Sequence, residues 1–308
     1  MTIQSYIREI GRGKDGARAL SKEQATDLMG MILDDKVSEL QLGAFCLAMR
    51  IKGETEQEMA GFLAAAQARL NHFDAPPSST PCIVIPTYNG ARRLPVLTPL
   101  LGCLLAKRGF AVLMHGSTSE STRIPSQDVL QELGFSPERS TCTLVPGKLT
   151  FAHTSLISPG LQKLLDVRRS IGLRNSGHSM VKLLQPVRAQ ANTDLANAFL
   201  ITSYTHPEYA ISMRKTLGII EGNAMLLRGC EGEAVADPRR APAYTIIKRG
   251  LITLERESEK GSIAPTDLFQ GELNTKSIAK YTQQILEGSL PIPQTILDQV
   301  DTITSVCS

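Results

Sequence analysis

The first seventy residues repeat apolar side chains at helical intervals, as Leu28 and Ile32 do within SKEQATDLMGMILDD. Ser21 and Thr55 each stand three residues before a glutamine or glutamate, which is the spacing of a capping box at a helix start. The pattern therefore predicts a small N-terminal helical domain over residues 1–74.

Residues 71–81, NHFDAPPSSTP, interrupt this pattern with prolines and small polar residues, as a linker does. After them, short apolar runs such as CIVIP and FAVLMHG alternate with helical stretches such as PLLGCLLAKRG. This alternation is typical of parallel βαβ units. The sequence therefore predicts an α/β class, with a larger α/β domain over residues 81–308 that has a mainly parallel central sheet flanked by helices.

Charge is distributed unevenly along the 308 residues, although the formal net charge is only +3. No acidic residue occurs between residues 75 and 119, and Asp166 is the only acid between residues 139 and 193, where lysine and arginine are frequent. The middle of the chain is therefore basic. Such an uneven distribution of positive charge favours a polyanion as partner.

The six cysteines form no C-x-x-C pair, which disfavours a disulfide framework and a zinc site and favours a reducing compartment. The first residues contain no apolar leader, and no apolar run approaches the roughly 20 residues that cross a bilayer. We therefore expect a cytoplasmic protein without a membrane partner.

The stretch IPTYNGARR, residues 85–93, lies between an apolar run and a helical stretch, where many α/β proteins cradle a phosphate on backbone N–H groups. Here Gly90 is the only glycine, whereas Arg92 and Arg93 place two guanidinium groups beside the turn. Clustered arginines often bind phosphate. A tight turn with two solvated arginines explains the same residues, so both interpretations stay open.

Residues 41–62, QLGAFCLAMRIKGETEQEMAGF, resemble the helical signature of the anthranilate phosphoribosyltransferase-like superfamily, and the likeness continues through LTPLLGCLLAKRGFAVLMHG and QDVLQELG. The resemblance implies the nucleoside phosphorylase/phosphoribosyltransferase fold, in which helices from about residues 160–187 complete the helical domain. It also shows changed phosphate motifs. The pyrophosphate loop G-T-G-G-D is matched by residues 86–90 without its glycine pair or aspartate, and K-H-G-N-R is matched by MHGST at residues 114–118.

The magnesium-binding acid pair of the catalytic members falls near CEGEAVADPRR, where Glu231, Glu233 and Asp237 keep acids in altered spacing. We therefore expect no catalytic residue, no metal and no cofactor, with histidines that are structural. What remains is a vestigial phosphate pocket. Its expected members are Asn89, Gly90, Thr98, His115, Gly116 and Ser117.

A closer resemblance is to the YbiB-like branch of this superfamily, through EIGRGKDGAR, IPTYNGARR, GLRNSGHSMVKL, HPEY and EGEAVADPRR. It implies a nucleic-acid-binding protein without transferase activity, with DNA as the expected partner and RNA as the other candidate. Aromatic residues are scarce at 5%, so Tyr88 is the one candidate for base stacking near the arginines, and phosphate contacts are favoured. The residues expected to contact phosphate are Arg8, Arg12, Lys14, Arg18, Arg92, Arg93, Lys163, Arg168, Arg169, Arg174 and Lys182.

The resemblance also implies a homodimer through the helical domain, for which the apolar faces around Met29, Leu42 and Phe45 are candidates. The alternative function is an enzyme of the same fold, a glycosyl or phosphoribosyl transferase with altered specificity. In that alternative His115, Gly116 and the acids of CEGEAVADPRR hold a different phosphosugar. Arg174 matches an arginine that meets the acceptor carboxylate in transferases of this fold.

Overall fold

The computed structural model describes residues 2–13, 15–77, 80–117, 122–188, 198–259 and 269–308. Lys14, one of the expected phosphate contacts, lies outside the described residues. The described chain begins with four helices that share one apolar core: α1 Ile3–Ile10, α2 Lys22–Leu33, α3 Glu39–Lys52 and α4 Glu56–Gln67. Capping boxes at Ser21, Ser38 and Thr55 begin α2, α3 and α4, so the helix starts predicted at Ser21 and Thr55 are confirmed.

The remainder of the described chain is built on short strands. They are β1 Phe73–Asp74, β2 Cys82–Thr87, β3 Val112–Gly116, β4 Leu149–His153, β5 Val187–Arg188, β6 Ala198–Tyr204, β7 Ala224–Arg228, β8 Tyr244–Lys248 and β9 Leu251–Arg256. Seven of them form a sheet in the order β4-β3-β2-β6-β7-β8-β9, parallel from β4 to β7 and antiparallel at β8 and β9. This mainly parallel sheet confirms the predicted fold class.

Further helices lie between and after the strands. They are α5 Thr98–Lys107, α6 Ser126–Glu132, α7 Thr154–Ile157, α8 Pro159–Ile171, α9 Gly177–Met180, a 3₁₀ turn Val181–Leu183, α10 Pro207–Ile219, α11 Thr275–Leu286 and α12 Gln294–Cys307. On one face of the sheet α5 packs against β2, β3 and β4, and on the other face α10 packs against β6 and β7. In β2, Ile83 and Ile85 belong to the core under α5 and α12, whereas Val84 belongs to the core that continues into the helical domain. Both faces of the strand are thus apolar, as in parallel sheets generally.

The chain returns to the helical domain after β4, because α8 packs against α2 and α9 packs against α4. The short parallel pair β1–β5 joins Phe73 to Val187 beside this crossing. The domain limits at residues 74 and 81 stay predictions. Within the described residues no helix is long and apolar enough to cross a bilayer.

The residue-level expectation for the dimer interface was wrong. Met29, Leu42 and Phe45 are buried inside the helical domain, because each faces the centre of the four-helix core. The large apolar side chains that α3 exposes are instead Leu40 and Ile51, 84% and 57% exposed, with Leu47 between them. Spacings of seven and four residues place these three side chains on one face of α3.

Glu58 ties the N-terminal loop to two helices from a fully buried position. Its carboxylate accepts hydrogen bonds from the backbone N–H groups of Leu20 and Thr55, each at 2.9 Å, and pairs with Lys52 Nζ at 2.6 Å. A buried charge of this kind is stable only while its partners remain.

We expect Glu58→Ala to lower the free energy of unfolding by about 3–5 kcal/mol, because it leaves the enclosed Lys52 ammonium and two N–H groups without their acceptor. Glu39→Ala is the matched control, since Glu39 lies in the first turn of α3 and is exposed, and it should cost less than about 0.5 kcal/mol. Urea unfolding of both variants measures the difference, and equal small losses would contradict the structural role of Glu58.

Candidate functional site

The loop after β2 closes around the carboxylate of Glu233. The backbone N–H groups of Asn89 and Gly90 both donate to Glu233 Oε1, each at 2.8 Å. Gly90 adopts φ +62°, and a Cβ there would lie 2.6 Å from the Ile124 carbonyl oxygen, so this turn requires glycine. The loop therefore has the converging N–H groups of an anion cradle, and its occupant is a side chain of the same protein.

Three hydroxyl groups complete the surroundings of this carboxylate. Thr98 Oγ1 at the start of α5 and Ser126 Oγ at the start of α6 lie 3.0 and 3.3 Å from Glu233 Oε2. The Thr87 hydroxyl at the end of β2 also donates to Oε2. Because Glu233 is only 1% exposed, these charge-assisted bonds replace its hydration.

Glu231 binds two further N–H groups of the same loop in a similar way. Its carboxylate accepts hydrogen bonds from the backbone N–H groups of Arg92 at 2.6 Å and Arg93 at 3.0 Å. The backbone of Glu231 adopts φ +52°, which is unfavourable for a residue with a side chain. Arg123 Nη1 lies 4.0 Å from the same carboxylate and donates to the Gly90 carbonyl at 3.0 Å. Two neighbouring glutamates thus bind the N–H groups of this loop.

The turn that carries the glutamates lies in close contact with the loop. Asn89 Nδ2 donates to the Gly232 carbonyl at 2.7 Å, and a Cβ on Gly232 would lie 2.1 Å from that nitrogen. Gly229 has a similar constraint, since its Cβ would lie 1.9 Å from the Glu233 carbonyl oxygen. The glycines of GCEGE therefore permit the approach that brings Glu233 to the loop.

Tyr88 is not available for base stacking, so that expectation was wrong. Its ring is buried, and its hydroxyl lies 2.9 Å from both His115 Nδ1 and Thr154 Oγ1. Burial lowers the pKa of His115 to about 4 and raises that of Tyr88, so both are neutral at physiological pH. This network is structural and lies beneath the loop.

The six residues of the expected phosphate pocket lie near one another but face different groups. Asn89, Gly90 and Thr98 surround Glu233, whereas His115 faces Tyr88. Gly116 ends β3, where a Cβ would lie 2.1 Å from the Thr87 carbonyl oxygen. Ser117 follows it and is buried.

A cavity of about 330 Å³ lies between the helical domain and the sheet. Its charged and ring-bearing lining residues include Arg50, Glu54, Arg174, His178, Lys182 and Tyr209. Arg174 Nη2 lies 3.2 Å from Asn89 Oδ1, so the cavity adjoins the loop that holds Glu233. A polar cavity of this size is in the range of small-molecule sites.

Lys182 is the enclosed cation of this cavity. Its ammonium group donates to the carbonyls of Ser203 at 3.2 Å and Gly232 at 3.4 Å. The pKa of Lys182 is lowered to about 8, chiefly by burial and also by the nearby Arg174 charge, while the Glu233 carboxylate opposes the shift. Lys182 was expected to contact phosphate at the surface, but its ammonium group is buried in the cavity and bound by carbonyl groups.

The remaining expected phosphate contacts lie at the surface in two settings. Arg8, Arg18, Arg92 and Arg93 are exposed, and their side chains form no ion pair within the described residues. Others have an acidic neighbour. Arg12 pairs with Glu9 at 2.8 Å, Lys163 with Asp35 at 2.5 Å and Arg169 with Asp166 at 3.4 Å, while Arg168 is half-buried on α8.

Solved structures share this architecture. Anthranilate phosphoribosyltransferase from Thermus thermophilus superposes with a TM-score of 0.70 and 19% identity, covering 99% of this chain and 87% of that one. The enzyme from Saccharomyces cerevisiae in complex with PRPP and Mg gives a TM-score of 0.65 and 16% identity, with the same coverage. These likenesses show the fold.

Sequence comparison identifies the family. The helical domain matches a family model described as a glycosyl transferase family, helical bundle domain, over residues 4–69. The uncharacterized protein YbiB of Escherichia coli strain K12 is 35% identical, covering 97% of this chain and 92% of that protein. The chain belongs to the YbiB-like branch of the anthranilate phosphoribosyltransferase-like superfamily.

The loop of this YbiB-like protein does not fit the pyrophosphate and magnesium expected from catalytic members of the superfamily. Its N–H and hydroxyl donors are engaged by Glu233 and Glu231, whose oxygens therefore face donors and not an open site. Asp237, the third acid, pairs with Arg239 at 2.7 Å. Among the described residues no group of three or more His, Cys, Asp or Glu side chains could hold a metal ion.

Glu233 is the residue whose position sequence reasoning missed. The resemblance assigned it to an altered metal pair, whereas its carboxylate binds a loop about 140 residues earlier in the chain. The one local signal is the pair of glycines in GCEGE, which indicates a close backbone approach but does not identify the partner.

We expect the stability of the protein to reflect the lowered pKa of Lys182. Between about pH 8 and pH 10.4, the unfolded lysine keeps a proton that the folded lysine has lost, so its contribution to the free energy of unfolding rises with pH. The difference in unfolding free energy between the wild type and Lys182→Met, measured by urea titration at several pH values, isolates this contribution. A difference that does not change with pH would contradict the assignment.

Proposed function

We propose that this protein binds nucleic acid, with DNA as the first candidate, through exposed cations and without phosphoribosyl transfer. The observation that carries the proposal is the state of the loop after β2. Its N–H groups are bound by Glu231 and Glu233, while the side chains of Arg92 and Arg93 are exposed. Such a loop can meet phosphates from outside but has no free cradle to enclose one.

Further support comes from the other exposed cations. Arg8 and Arg18 lie on and after α1 with side chains in solvent, next to the glycines of GRGKDG. Cations of this kind follow a phosphate backbone without reading bases. The burial of Tyr88 removes the stacking candidate beside Arg92 and Arg93, which also favours phosphate contacts over base contacts. We therefore propose binding with little sequence preference.

We also propose that the protein is a cytoplasmic homodimer that associates through α3. The exposed apolar side chains Leu40, Leu47 and Ile51 share one face of that helix and lie in the helical domain. Two copies joined there would present two sets of exposed cations to one polyanion. Binding at both sets would increase the overall affinity without any new contact.

A salt series separates this proposal from the transferase alternative. We expect the binding constant for a DNA duplex to fall with salt at a log–log slope of about −3.6 for each set of four cations that binds it, at about −0.9 per phosphate contact. Fluorescence anisotropy between low and physiological salt measures it, and calorimetry with phosphoribosyl pyrophosphate and magnesium should show no binding. Pyrophosphate binding without DNA binding would support the transferase and reject the proposal.

Charge reversal tests the loop itself. We expect Arg92→Glu with Arg93→Glu to lower DNA affinity on the order of tenfold or more at low salt and to reduce the salt slope by about 2 for each protomer that binds the DNA, because two phosphate contacts become repulsive. Circular dichroism and thermal unfolding should match the wild type, since both side chains are exposed.

The matched control is Lys276→Glu with Lys280→Glu. These two exposed lysines lie on α11, and their reversal changes the net charge by the same amount. DNA affinity close to that of the wild type is expected for this control. If the two double variants lose affinity equally, net charge explains the effect and the loop is not the binding site.

A further inference from the structure

We propose that the Glu233 carboxylate is the built-in occupant of an oxyanion site and excludes small phosphorylated ligands from the loop after β2. The Glu233 site is defined by the donors that surround this carboxylate. They are the N–H groups of Asn89 and Gly90 and the hydroxyls of Thr87, Thr98 and Ser126. This inference concerns a small-ligand site; it starts from the same loop geometry as the proposed function, and its test does not involve nucleic acid.

The donor set suits the oxygens of a phosphate as well as those of a carboxylate. Two N–H groups converge on one oxygen at 2.8 Å, and hydroxyl groups converge on the other. All five donors are uncharged, so each offers a hydrogen bond to any small oxyanion. The ligand class that fits an emptied site is therefore inorganic phosphate or the terminal phosphate of a small molecule.

The backbone of Glu233 is held in place, which explains why its carboxylate occupies the site in preference to a free anion. Its backbone lies in a tight turn in which Glu233 N donates to the Cys230 carbonyl and Cys230 N donates to the Val235 carbonyl, each at 3.0 Å. Asn89 is bound to the same turn through Gly232. A carboxylate held this way competes as an intramolecular group, without the loss of translational freedom that a free anion incurs.

Removal of the carboxylate leaves the two N–H groups and the Thr98 hydroxyl without their acceptor, whereas the Thr87 hydroxyl keeps Ser126 Oγ as an acceptor at 2.6 Å. Buried donors in this state destabilise a protein, and an anion that binds only the folded form reverses the effect. Glu233→Ala also frees the volume of the carboxylate and its γ-methylene group. The variant should therefore bind inorganic phosphate where the wild type does not.

The test compares thermal unfolding of the wild type, Glu233→Ala and a control, Glu257→Ala, which removes an exposed glutamate, in sodium phosphate and in sodium chloride of equal ionic strength. We expect Glu233→Ala to have a lowered Tm that phosphate raises in a saturable manner, by about 3 °C at a tenfold excess over Kd. The wild type and Glu257→Ala should have the same Tm in both salts. Equal Tm values for Glu233→Ala in phosphate and chloride would overturn the proposal.

A second measurement uses the wild-type protein and does not depend on whether the variant folds. Phosphate should leave the amide resonances of Asn89 and Gly90 unmoved in ¹⁵N-labelled wild type, because Glu233 holds both N–H groups. A saturable shift of these two resonances would show that phosphate displaces the carboxylate and would reject the proposal. Neither measurement involves nucleic acid. A result that rejects this proposal is therefore distinguishable from a result that rejects the proposed function.

Discussion

The binding of the Glu233 carboxylate by the loop after β2 is the interaction on which the rest of this site depends. The N–H groups of Asn89 and Gly90, after β2, donate to one of its oxygens, while Thr98 and Ser126 bring the first residues of α5 and α6 to the other. Because the carboxylate is buried and charged, each of these donors stabilises it more than a neutral bond would. One side chain from the turn after β7 thus joins three separate segments.

The same constraint relates the loop to the cavity between the domains. Asn89 is positioned by the Gly232 carbonyl, and its side-chain oxygen then accepts from Arg174 at 3.2 Å. Lys182 reaches the Gly232 carbonyl from the helical side, and the Glu233 carboxylate favours its charged form. A change at Glu233 would therefore alter the charge balance of the cavity as well as the loop. The charges of the loop and of the cavity are therefore coupled.

The sequence predicts those parts of the molecule that local patterns encode. Capping boxes at Ser21 and Thr55 marked helix starts, and alternating apolar runs indicated the parallel sheet. The order of the strands, with β6 beside β2, comes from contacts between distant segments. The direction of a loop side chain such as Tyr88 is equally nonlocal, because it is set by His115 and Thr154. Glu233 was missed for the same reason.

The contrast between Lys182 and Arg92 shows why basic composition alone does not define a binding surface. Both lie in a region poor in acids, yet Lys182 is enclosed by carbonyl groups whereas Arg92 is exposed. Glu231 binds the backbone N–H groups of Arg92 and Arg93 and leaves their guanidinium groups in solvent. The main-chain N–H groups of these residues are thus bound by an internal carboxylate, whereas their side chains stay exposed.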